Sequence, residues 1–193
     1  MSSEILAYRC MPRPSITLGD YTVRAVQPED TERIRQWRNA QMTVLRQGRL
    51  ISEADQRAYY QEHIWPMMAQ VHPANILLSF FHHGRHIGYG GLVHIAWPHA
   101  RAEVSFLLDN ELTADEAVYA GNFLIWLRLL KLLAFEDLLL NRLYTETWAF
   151  RETHMAVLEQ AGFQREGVCR EHVRIDGQWY DAVFHGVLRR DYV

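Results

Sequence analysis

"SFLLDNELTADEAVYAG", residues 105–121, decides how the chain is read. Ser105 to Leu108 is an apolar, strand-like run, and a short turn carries it into a helical pattern over 114–135. A turn built to hold phosphate would contain glycines and a cation. This one contains Asp109, Glu111, Asp115 and Glu116. "TADE" (113–116) has the form of a capping box, in which Thr113 accepts from the Glu116 N–H and Glu116 reaches back to Thr113. The acids also complement the helix dipole, so the turn fills its own anion site.

Outward from this stretch the chain alternates between strand and helix signals. Residues 1–19, with Pro12, Pro14 and Gly19, are expected to form an irregular arm ahead of a single domain over 20–193. "YTVRAV" (21–26) alternates as a strand does, and Asp30 is placed to cap a helix burying Ile34 and Trp37. Ser52 opens a second helix that ends before Pro66 or a turn later. A meander follows over 75–81, 86–96 and 101–108, with turns at 82–85 and 97–100. After the long helix come a strand at 142–148, a helix at 153–163 closed by Gly162, and two strands joined by Asp176-Gly177. The order is β-α-α-β-β-β-α-β-α-β-β, an α/β (α+β) class.

The bulk properties narrow the function. A formal net charge of −3 argues against a nucleic-acid-wide basic footprint. The two cysteines, Cys10 and Cys169, build neither a disulfide framework nor a Cys-x-x-Cys metal site. "HHGRH" (82–86) does not suit a metal either, because adjacent strand residues face opposite ways and Gly84-Arg85 forms a hairpin tip. Phe123 to Phe135, the longest apolar stretch, is interrupted by Arg128 and Lys131 and is shorter than the roughly 20 residues of a membrane span. No basic segment followed by an apolar run marks the N-terminus, so a cytoplasmic chain with no membrane partner is expected.

The element order, "AEVSFLL" before a long helix, "LEQAGFQREG" (158–167) and the Asp176, Gly177, Asp181 hairpin together resemble the GCN5-related N-acetyltransferase (GNAT) superfamily. Within it they are similar to the branch of ribosomal-protein N-terminal and amino-sugar-nucleotide acetyltransferases. The resemblance implies a central mixed sheet of about seven strands flanked by helices, splayed between strands four and five. It also implies acetyl-CoA as acyl donor. In such proteins a turn of the form (Arg/Gln)-x-x-Gly-x-(Gly/Ala) holds the diphosphate. Here the pattern falls on Asp115, Val118 and Ala120, and only Ala120 matches. The implied donor contacts are the N–H groups of Phe106, Leu107 and Leu108 for the thioester carbonyl, the turn residues Tyr119, Ala120 and Gly121, and Arg151 and His154. The last two stand where relatives carry Asn and a small hydroxyl residue, and Arg151 is a cation that could answer the acidic turn. The usual thiolate-protonating Tyr falls on Leu158, which leaves Tyr119 or solvent.

For the chemistry, an ammonium must lose a proton before it attacks a thioester, and a carboxylate is a sensible base. Glu103 sits mid-strand in an apolar segment and is the first candidate, with His94 and Glu146 as further candidates. Their other readings are an ion pair for Glu103 and an ordinary core role for His94. Trp37, Arg38, Asn39 and Arg46 fall in the helix and loop that wall the acceptor in this fold, and Trp148 shares a strand face with Glu146. Core packing is the alternative for both tryptophans. The expected activity is N-acetylation of a small primary amine, an amino sugar or its nucleotide-linked form. A protein N-terminus is the rival acceptor, and a GNAT-like binding protein without activity is the rival class. A homodimer is compatible with all three.

Overall fold

The structure, a computed structural model, describes residues 6–45 and 47–192. Its centre is an eight-stranded sheet in the order β1-β2-β3-β4-β5-β6-β8-β7. β1 (Ser15–Leu18), β2 (Tyr21–Ala25), β3 (Ile76–His82), β4 (Arg85–Ala96) and β5 (Arg101–Leu108) form an antiparallel run. β6 (Arg142–Trp148), β8 (Gln178–Leu188) and β7 (Gln164–Ile175) continue it, and β5–β6 is the parallel pair. α1 (Thr31–Ala40), α2 (Glu53–Tyr59), α3 (Trp65–Met68), α4 (Glu116–Lys131) and α5 (Glu152–Gln160) flank the sheet.

The extra strand is β1, in the stretch expected to be irregular. Pro12, Pro14 and Gly19 punctuate the sequence there, yet they bracket four residues that hairpin onto β2, with Ile16 buried opposite Val23. Tyr8 is buried too, and its hydroxyl accepts a hydrogen bond from the Leu77 N–H at 3.0 Å. With β1 counted, strands four and five of the sequence reading are β5 and β6.

Asp30 does not cap α1 with its side chain, a second correction. Its buried carboxylate turns back to the Gln27 N–H (2.9 Å), Arg24 (2.6 Å) and Ser79 (2.7 Å). Burial raises its pKa, but these donors outweigh burial and hold it below the ordinary carboxylate range. Ser52 caps α2 as expected, accepting from the Asp55 N–H at 3.1 Å. A π-helical turn (Tyr60–Ile64) then carries the chain into α3, past Pro66.

α4 is the crossover between β5 and β6. With a π-helical turn at Leu132–Asp137, the helical stretch from Glu116 runs 22 residues, longer than the apolar run in the sequence and long enough by length and composition to cross a bilayer. Here Phe123, Trp126 and Leu130 bury that stretch in the sheet's core. The packing is tight at Gly90, where a Cβ would stand 2.2 Å from the Ser105 carbonyl oxygen and 2.9 Å from the Trp126 ring. Only glycine fits there. The Asp176-Gly177 turn joins β7 to β8 with both residues at positive φ (49° and 86°), as a tight hairpin requires.

Candidate active site

β5 pairs with β6 only at Arg101–Arg142, Ala102–Leu143 and Glu103–Tyr144. Beyond Glu103 the two strands part, while β5 stays paired to β4 as far as Leu108. A cleft of about 210 Å³ opens at the divergence, lined by Glu103, Glu146, His94, Phe106, Trp148 and Arg38. β4 is irregular between Val93 and Ala96, and there His94 takes φ +50°, a left-handed conformation that His tolerates better than most residues. The kink brings the His94 Nδ1 to 2.8 Å from the Glu103 carboxylate. Across the cleft, Glu146 lies 2.9 Å from the His172 Nε2. Both carboxylates are mostly covered (side-chain exposure 12% and 13%), whereas the histidines are open to solvent at 63% and 42%. Each acid thus has a solvent-facing imidazole beside it.

A second groove of about 620 Å³ adjoins the cleft between the starts of α4 and α5, and Val44, Arg151 and His154 border both. His154 is buried and stacked on Phe123, with centroids 4.1 Å apart. Burial, together with the nearby Arg151 charge, holds its pKa well below the ordinary 6.5, so the ring is neutral. The Tyr119 hydroxyl sits 2.7 Å from the His154 Nδ1 and receives a hydrogen bond from the Arg151 guanidinium at 2.9 Å. The phenol therefore donates to Nδ1, which leaves the ring N–H on Nε2. Burial raises the Tyr119 pKa, opposed in part by Arg151, so its proton stays on at neutral pH.

The acidic turn is self-satisfied, though not by the expected residues. The Thr113–Glu116 box does not form, because the Thr113 hydroxyl donates to the Asn110 carbonyl (2.8 Å). Asp115 is the cap instead, and its Oδ1 accepts from the N–H groups of Ala117 (2.8 Å) and Val118 (3.1 Å). Asp109 accepts from the Glu111 N–H, and Arg85 reaches both Asp109 (3.3 Å) and Glu111 (3.2 Å). The N–H groups that would receive a diphosphate are taken, and Glu116 lines the adjoining groove. The acyl-bearing end of the expected donor fits the cleft at the splay. Its diphosphate finds no such fit at the start of α4.

Other expected site residues stand elsewhere. Trp37 is in the core, edge-on to His86, because it shares the buried face of α1 with Ile34. Asn39 braces the next loop, exchanging two hydrogen bonds with the Ile51 backbone (both 2.9 Å). The side chains of Leu107 and Leu108 are buried, which does not bear on the role expected of their N–H groups, and Ala120 and Gly121 line neither the cleft nor the groove. Arg46 lies outside the described residues. Three contributors were missed: Val44, which borders both spaces, His172 on β7, and Gln41, whose amide donates to the Leu108 carbonyl at 2.8 Å. A polar residue just past the end of α1 was the one visible sign of Gln41.

The acetyltransferase (GNAT) domain family matches residues 23–184. The chain belongs to the GNAT family. It is 26% identical over 182 residues to the putative ribosomal N-acetyltransferase YdaF of Bacillus subtilis (strain 168), which covers 89% of this chain and 92% of that protein. The crystal structure of a probable acetyltransferase superposes with a TM-score of 0.72 at 26% identity, over 92% of this chain and 98% of the other. The spermidine N-acetyltransferase of Vibrio cholerae, solved with CoA and spermine, gives a TM-score of 0.77 at 20% identity, over 91% of this chain and 99% of the other. At that identity the likeness is one of fold. The GNAT fold accounts for the parallel β5–β6 pair and its splay, and the protein is an acetyltransferase.

Proposed function

We propose that the protein transfers acetyl from acetyl-CoA to the primary amine of a small molecule, an amino sugar or its nucleotide-linked form, with Glu103 as the base. The observation that carries this reading is the Glu103–His94 pair at the point where β5 and β6 part. Acetyl-CoA supplies the thioester. Glu103 takes a proton from the incoming ammonium, directly or through one water, and His94 passes it outward from an exposed position. The amine nitrogen then bonds to the carbonyl carbon as the carbon–sulfur bond breaks, and the thiolate needs a proton. Solvent supplies it, or Tyr119 of the adjoining groove does by releasing the proton it shares with His154.

The name of the Bacillus relative favours a protein N-terminus as the second acceptor reading. Competing a short peptide against glucosamine derivatives separates the two. For the base, Glu103→Gln is expected to lower turnover by about 10²- to 10⁴-fold while acetyl-CoA binding, read by calorimetry, is retained. Full turnover in this variant would remove Glu103 from the role and pass it to Glu146 or solvent.

A further inference from the structure

Behind Arg38 lies a cavity of about 470 Å³ that acetyl transfer itself does not use. Its walls come from the end of α1, from α2 and the following π-helical turn, and from Tyr89 of β4. Arg38 lines this cavity and the reacting cleft alike, so the two spaces share it as a wall. Among the described residues, no hydrogen bond or ion pair engages the Arg38 guanidinium. Tyr60 is 2% exposed and lines the cavity, and its hydroxyl has no hydrogen-bond partner of acceptable geometry among the described residues, though Tyr89 stands beside it. A buried hydroxyl left in that state costs about 1–3 kcal/mol unless something else satisfies it. The π-helical turn begins at this residue, and such turns recur at functional sites.

Besides Arg38, the cavity faces one ion pair and one further carboxylate. Arg49 and Asp55 pair with each other at 2.8 Å, leaving Glu62 and His63 near the rim. Burial raises the pKa of both Tyr60 and Tyr89, so at neutral pH both phenols keep their protons. What the interior offers a ligand is the Arg38 cation and the Tyr89 phenol, since the Tyr60 hydroxyl is sealed behind them.

We propose that this cavity binds an anionic group, a carboxylate or a phosphate, carried on the same acceptor whose amine reaches Glu103. The proposal rests on the acetyl-transfer reading for the position of the amine, and it makes the acceptor a zwitterion. A polyamine would place a second cation against Arg38 and is disfavoured.

The test uses acetylated products, which bind whether or not the protein turns over. N-acetylglucosamine 6-phosphate is titrated against N-acetylglucosamine, and an N-acetylated amino acid against its amide, by calorimetry on the full chain. The anionic member of at least one pair is expected to bind about 10- to 100-fold more tightly, the worth of a charged hydrogen bond. The phosphate pair and the carboxylate pair distinguish the two sources of the anion. Arg38→Gln should erase the preference, and the nearly isosteric Tyr89→Phe should reduce it several-fold, with thermal unfolding confirming that both variants fold. Equal binding within both pairs, a preference for acetylated spermidine, or an unaltered preference in both variants would overturn the proposal. Intact anion preference in a protein that acetylates no amine would sink the transfer reading and leave the anion site standing.

Discussion

Replacing Asp115 with Asn keeps the cap of α4 and removes its charge. Asn and Asp rank together as N-caps, so the two hydrogen bonds at 2.8 and 3.1 Å have an equivalent acceptor after the change. The stability difference reduces to the charge–dipole contribution, about 0.3–1 kcal/mol. Donor binding should respond in the opposite sense. Unit charges assumed about 8 Å apart, at an effective dielectric between about 20 and 80, repel by about 0.5–2 kcal/mol. Acetyl-CoA should therefore bind Asp115→Asn about 2- to 30-fold more tightly than the native protein at low salt. In 1 M salt, where the screening length is about 3 Å, most of the gain should vanish. Asp115→Ala, which loses the acceptor as well, should cost about 1 kcal/mol and lower Tm by about 2–4 °C in a chain of this size. Calorimetry at two salt concentrations and a thermal scan make the full set. Native affinity equal to that of the Asn variant at both salts would refute the view that this turn opposes the donor's charge.

Tyr119→Phe takes the donor from the buried His154 Nδ1 and the acceptor from Arg151, and should destabilise the protein by about 1–3 kcal/mol in urea titrations while slowing turnover. Native stability in that variant would mean that Arg151, 3.3 Å from Nδ1, closes the gap alone. Burial lowers the pKa of His86, His154 and His185, so each binds a proton in the unfolded chain near pH 6.5 and resists it when folded. Stability should be whole above pH 6.5 and decline as pH falls below it, by up to about 1.4 kcal/mol per pH unit for each such histidine. Urea midpoints that match at pH 7.5 and 5.5 would contradict this.

Periodicity and turn chemistry made most of the fold legible. The alternation of β2, the Asp176-Gly177 hairpin and the Ser52 cap each depend on neighbours in sequence, and each was placed correctly. β1 escaped because four residues between prolines and a glycine become a strand only when β2 offers its edge. Glu103 could be singled out because a charge inside an apolar strand is conspicuous. His94 was named beside its core reading, but the bulge that turns it to Glu103 depends on the register of β4 against β5 and leaves no local mark. His172 was invisible for a similar reason: β7 is itself irregular between Cys169 and Val173. Asn39 shows the reverse, and Trp37 settles into the core packing that was its other reading. Both belong to the correct helix, but one faces the core and the other is committed to the Ile51 backbone.

The short parallel join between β5 and β6 also makes the sheet a structure in two parts. One part is the five-strand run β1–β5, the other the trio β6–β8–β7, and between them the ladder has only the rungs from Arg101 to Glu103. Past those rungs the two parts are joined by the crossover helix rather than by strand hydrogen bonds. A reactant that docks along the open edge of β5 while touching β6 supplies the bridge that the backbone omits. Occupying the cleft and fastening the two parts together are then one event, so the protein is stiffest when it is loaded and ready to react.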